Sequence, residues 1–126
     1  MANLFIAIAA VNGFVAVACG AFAAHGLRAR LPADLLAIFQ TGVQYQMYHA
    51  LALLAVGLLS LHMGSSGLLR ASGWLFLVGI VIFSGSLYIL ALSGVRWLGA
   101  ITPIGGVAFL AGWLLLLAAV LRQTSP

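Results

Sequence analysis

The sequence predicts an all-α polytopic membrane protein, a four-transmembrane-helix bundle, and three observations predict it. Hydrophobic residues make up 65% of the 126 and charged residues 5%, with a mean hydropathy of +1.25. A soluble chain this short has too much surface for its volume to hide that much apolar area. The apolar residues fall into four runs, each close to the roughly 20 residues a helix needs to cross about 30 Å of hydrocarbon. The few polar residues gather at the ends of those runs and along one segment of the second.

The first helix is expected over about 4–24. It is Ala-rich, and the spacings Ala9-xxx-Gly13 and Ala16-xxx-Gly20-xxx-Ala24 let a neighbouring backbone approach closely. Met1-Ala2-Asn3 lacks the Lys or Arg that opens a cleaved signal, so the segment reads as a retained helix. Gly26 is placed to end it, and His25 to Pro32 form the first polar connection. The second segment, over about 34–61, has no strong breaker except Gly42, which allows a helix of roughly 43 Å. Either it is one long tilted helix, or Pro32 to Thr41 lies in the interface and the span starts near Gly42. Its first half is amphipathic, with Leu36, Phe39, Val43, Met47 and Ala50 at helical spacing.

His62 to Ser72 is Gly/Ser-rich and reads as a turn region. The third helix follows over about 73–92, with Trp74 anchoring one end. Ser93 to Gly99 is a short connection holding Arg96 and Trp97. The fourth helix is expected over about 103–121, where Thr102 can cap and Pro103 suits the first helical position. The 126 residues thus form a single integral membrane domain. Arg28, Arg30 and Arg96 fall on one side and Arg70 and Arg122 on the other, so the positive-inside rule favours termini outside by one arginine.

Composition also excludes function classes. All five cations are arginines, spread along the chain rather than clustered, which leaves no basic face for nucleic acid. The lone Cys19 permits neither a disulfide framework nor a CxxC site. Asp34, the one acid, cannot form a carboxylate dyad; it charges a helix N-terminus after Pro32 or pairs with Arg28 or Arg30. Ser84 and Ser86 have no base near them in sequence, so a hydrogen bond to the carbonyl four residues back is the expected role.

The residues with the most chemistry lie between Phe39 and His49. Thr41, Tyr45 and His49 share one helix face, and Gln40, Gln44 and Tyr48 share the next. Polar groups in a spanning segment must find partners, because lipid offers none. They either bond across helices to fix the bundle, with Asn12, Ser84 or Tyr88 opposite, or line a polar pocket for a headgroup, quinone or small solute. Inter-helix bonding is the preferred reading. His25 and His49 could ligate a haem only if they sat at similar depth, which requires the second span to start near Gly42. Neither haem nor quinone is adopted as a cofactor, and no metal site is expected. The candidate polar positions are therefore Asn12, His25, Gln44, Tyr45, His49, Ser84, Tyr88 and Thr102.

Five pieces, Gly20 to Leu27, Phe39 to Leu53, Phe83 to Tyr88, Ile101 to Gly106 and Gly112-Trp113, are spread over nearly the whole chain. In their order and content the sequence resembles the YgdD-like family of small bacterial inner-membrane proteins, a group of unknown function with eukaryotic relatives. Ala23 or Ala24 stands where that family usually has Gly. The resemblance implies a four-helix integral membrane protein and no particular reaction. The expectation is a non-enzymatic accessory, assembly or lipid-interacting component whose partners are membrane lipids, other membrane subunits or a second copy of itself. The alternative is a homo-oligomeric small-solute channel or transporter, with Gln44, Tyr45, His49, Ser84 and Tyr88 lining the path.

Overall fold

The computed structural model describes residues 1–124, and these are helical apart from short connections. Ala2–Phe22 is α-helical and runs on through the π-helical turn Ala23–Leu27; together they form α1. Helix α2 is Ala33–Met63. Helix α3 comprises Gly67–Gly79, a π-helical turn Ile80–Ser84, and Gly85–Ser93. A 3-10 turn, Arg96–Ala100, leads into α4, Thr102–Thr124. Four helical stretches are long and apolar enough to cross a membrane.

Several bounds differ from the sequence expectation, each for a packing reason. Gly26 does not end α1, because Ala23 and Leu27 bury against Phe39 and Ala91 and hold one further turn. The polar start of the second segment does not peel away at Gly42; α2 is continuous for 31 residues, about 46 Å. The Gly/Ser-rich turn shrinks to residues 64–66. There Gly64 takes a positive φ of 80° to end α2, and the Ser66 hydroxyl accepts from the Leu69 N–H to cap α3. Residues 67–72 join the helix because Leu69 and Ser72 are buried. Gly94, at φ 75°, ends α3 in the left-handed conformation that glycine adopts without a steric penalty.

Helices α2 and α3 form the central pair; α1 packs along α2 and α4 along α3. The outer helices also reach across: Phe5 of α1 meets Trp74 edge-on at 5.3 Å, and Trp113 of α4 meets His49 of α2. One apolar cluster, around Phe5, Leu53, Val56, Leu69, Phe76 and Phe109, fills the half of the bundle nearer the termini. A smaller one, around Ala23, Leu27, Phe39 and Ala91, fills the other. Side chains meet backbone where glycine removes a Cβ. A Cβ on Gly105 would lie 2.5 Å from the Phe83 nitrogen, so α4 rests directly on the π-turn of α3.

Outside the hydrocarbon, Asp34 pairs with Arg96 at 2.7 Å rather than with Arg28 or Arg30, because the α3–α4 connection lies beside the start of α2. The pair is solvent-exposed and screened, so Asp34→Asn should leave the thermal midpoint close to that of the wild type in a detergent melt.

Candidate functional site

Centring each spanning stretch on the bilayer, by length alone, gives its middle level. That of Ala33–Met63 falls at Tyr48 and that of Gly67–Ser93 at Ile80. Those of Ala2–Leu27 and Arg96–Gln123 fall beside Phe14 and Phe109. The α2 and α4 levels coincide in space, since Phe109 stacks on His49 with centroids 3.5 Å apart and planes 8° apart. Asn12, near the α1 midpoint, bonds to Gln46, near that of α2. A belt of polar side chains sits at this level, between the two apolar clusters.

His49 is buried and both ring nitrogens are engaged. Nδ1 lies 2.8 Å from the Tyr45 carbonyl, and the Trp113 indole N–H donates to Nε2 at 3.1 Å. A carbonyl only accepts and an indole only donates, so Nδ1 carries the proton and Nε2 the lone pair. The ring is therefore a neutral, single tautomer. Phe76 and Trp113 close around it, and Tyr45 packs on Phe83 at 4.6 Å beside it. Between these rings and the first turns of α4 lies a groove of about 400 Å³ that includes Pro103 and Gly106. Its rim residues Val107, Leu110 and Trp113 are exposed, so it opens sideways on the membrane-facing surface.

A second group joins three helices. Gln46 Nε2 donates to Asn12 Oδ1 at 3.1 Å, and the Tyr88 hydroxyl donates to Gln46 Oε1 at 2.7 Å. Asn12 also donates to the Ile8 carbonyl. Gln46 is 5% exposed and is the hub. Ser84 stands beside this group on a cavity of about 300 Å³. It donates to the Gly42 carbonyl across the α2–α3 contact at 2.7 Å, not to its own helix. Ser72 likewise donates to Gly112 O at 2.8 Å. Tyr88→Phe would leave Gln46 Oε1 without its donor, and is expected to cost about 1 kcal/mol in a detergent unfolding titration, the scale of such bonds in membranes.

The remaining candidates separate. Thr102 begins α4, and its hydroxyl lies 2.6 Å from Ser86 Oγ rather than capping its own helix. Gln44 is exposed on the outer face of α2. His25 is exposed at the end of α1, roughly 17 Å along the bundle from His49, because Gly20 of α1 lies beside Val43 of α2 and the two histidines run in opposite directions from that contact. The two histidines cannot share a haem. Gln44 and Tyr45 face outward, His49 faces α4 and Ser84 and Tyr88 face the α2–α3 contact, so the five residues line no common path within one copy. Among the described residues, no group of three or more His, Cys, Asp or Glu could hold a metal.

Sequence reasoning missed Gln46, Phe109 and Trp113. Gln46 lies seven residues after Phe39 and seven before Leu53, on the buried face, where a polar residue must have a partner. Trp113 lies deep in an apolar run, whereas tryptophan usually sits at its ends.

Residues 19–106 match the family described as "Protein of unknown function (DUF423)". The chain belongs to this family. The DUF423 chain is 47% identical over 120 residues to the UPF0382 membrane protein YwdK of Bacillus subtilis, covering 95% of this chain and 98% of that one. It is 51% identical over 121 residues to a UPF0382 membrane protein of Staphylococcus epidermidis, covering 95% and 97%. A UPF0382 membrane protein of Haemophilus influenzae is 47% identical over 114 residues, with 90% of each covered. No solved structure matches. The family match contains Gln44 to His49, Ser84 to Tyr88 and Thr102, while Asn12, Phe109 and Trp113 lie outside it.

Proposed function

We propose that this DUF423 protein is a non-enzymatic component of the bacterial inner membrane that works by association, with membrane lipids and with other membrane proteins. The observation that carries this reading is the commitment of the interior polar groups. Asn12, Gln46, Tyr88, His49, Ser72, Ser84 and Ser86 all hydrogen-bond within the bundle; of the buried polar side chains described, Ser60 alone has a hydroxyl without a partner. Among the described residues the one buried imidazole, His49, is already bonded at both ring nitrogens, while the aromatic groove opens sideways to the bilayer. Chemistry aimed at a substrate needs a poised pair that is not already satisfied. A role through surface contact needs a rigid scaffold, which these bonds supply. The description of its relatives as membrane proteins fits this reading. The arginine count favours termini outside the cell, and labelling of a C-terminal tag from the periplasmic side would test that orientation.

The experiment is native mass spectrometry of the protein released gently from its own membrane. Co-purified subunits, or a defined lipid held at fixed stoichiometry, are the expected result. Release with neither, together with solute flux from reconstituted vesicles, would overturn the association reading in favour of transport.

A further inference from the structure

The exposed faces of the four helices differ in chemistry near the membrane centre. Those of α1, α3 and α4 are lined by residues such as Val11, Phe14 and Val17, by Val78 and Val81, and by Val107, Leu110 and Leu114. Those faces suit lipid as they stand. The exposed face of α2 does not. Gln44, Tyr45 and Tyr48 all lie on it, and among the described residues none of their side chains makes a hydrogen bond. Tyr48 is 56% exposed at the helix midpoint, and Gln44 lies about 6 Å nearer the first turn. Neither position reaches the water or the lipid ester groups at the edge of a core about 30 Å thick. An amide left unbonded in hydrocarbon costs several kcal/mol, so something covers this face and bonds to it.

We infer that the occupant is a second copy of this chain, paired through α2 about a two-fold axis normal to the membrane. In a pair related by an axis normal to the membrane both copies have the same orientation, so each residue lies at the same depth as its own counterpart. Only a group that both donates and accepts can bond to itself. A carboxamide does so twice, in a reciprocal pair of N–H···O=C bonds, and a phenol does so once. Gln44 and Tyr48 are of this kind, whereas Asp34, the charged residue of α2, stands at its end and is already paired with Arg96. The neighbouring exposed positions also fit. Ala37, Gln44, Leu51 and Leu58 recur every seventh residue, and Tyr48 and Ala55 interleave with them. That is the seam of a parallel left-handed helix pair, in which one polar position fixes the register. Ala37 and Ala55 place small side chains toward the two ends, where close approach favours packing in lipid. The pairing stands independently of the accessory role, since a dimer can serve either reading.

Disulfide cross-linking in native membrane vesicles tests it. In a Cys19→Ala background, Leu51→Cys on the seam should give an oxidised dimer, while Phe14→Cys on α1 and Leu110→Cys on α4 should not. Adding Gln44→Leu with Tyr48→Phe should lower the dimer yield about tenfold, given the size of inter-helix hydrogen bonds in membranes. Both changes make the face more apolar, so the monomer should insert as well as before. Step-counting of photobleaching on labelled protein without the seam changes should give two steps per spot. Single-step spots, equal cross-linking from all three positions, or an adduct of Leu51→Cys with a different protein would each overturn the pairing. Co-purified subunits without a dimer would do so too while leaving the association reading intact.

Discussion

Gly105→Val is expected to remove most folded protein, whereas Gly106→Ala, one residue away, should be close to neutral. The difference follows from what each Cβ meets. At Gly105 it would lie 2.5 Å from the Phe83 nitrogen and 2.9 Å from its Cα. Those are backbone atoms of the π-turn Ile80–Ser84, which no rotamer change can move aside. At Gly106 the nearest atoms are ring carbons of Phe83 at 3.9 Å, an ordinary contact. Overpacking a core costs about 1–3 kcal/mol where side chains can yield. Here α4 must lift off α3, which also separates Ser86 from Thr102 and Ser72 from the Gly112 carbonyl. The expected loss for Gly105→Val therefore lies at the top of that range or above it. Fluorescence-detected size-exclusion after heating, on both variants, measures it. A Gly105→Val variant with the wild-type midpoint would show that α4 is not seated on this turn.

The amount of the molecule legible in the sequence follows from which signals are local. Hydropathy is local, so four spans and their order can be read directly, and so can the polar stretch of α2. Pairing is not local. Gln44 and Gln46 look alike in sequence, yet one is exposed and the other is 5% exposed and bonded to two other helices. The distinction depends on which face α1 and α3 cover. Thr41, Tyr45 and His49 share a face as their spacing indicates, but their fates diverge. Thr41 bonds back to the Ala37 carbonyl, Tyr45 stays at the rim of the groove, and His49 is captured by Trp113 from 64 residues away. Ser66 and Ser72 carry the same lesson. In composition both belong to a turn, but one caps α3 and the other is a buried donor, which only the position of Gly112 on α4 decides. The i−4 carbonyl expected for Ser84 lost to the Gly42 carbonyl because α2 and α3 approach closely at that glycine.

His49→Ala should be the most damaging change within the polar belt, and its comparison with Trp113→Phe separates scaffold from site. Removing the imidazole deletes the stack on Phe109, worth about 1 kcal/mol for a well-placed ring pair. It also leaves the Trp113 N–H without an acceptor at the membrane-facing rim, where lipid supplies none, a loss of about 1–3 kcal/mol. A cavity among Phe76, Phe109 and Trp113 adds to that, so a total of about 3 kcal/mol or more is expected. Trp113→Phe removes the same hydrogen bond but leaves only an unused lone pair on Nε2 and a smaller void, so it should cost less. The double variant isolates the coupling between the two residues, expected near 1 kcal/mol from unfolding titrations in mild detergent. Absence of coupling would mean that the indole and imidazole do not bond in the membrane. If the pair is purely scaffold, any cellular phenotype of Trp113→Phe will track the amount of folded protein. Loss of phenotype at wild-type abundance and stability would instead assign a ligand or partner to the groove that Trp113 rims, because the bundle itself would still be intact.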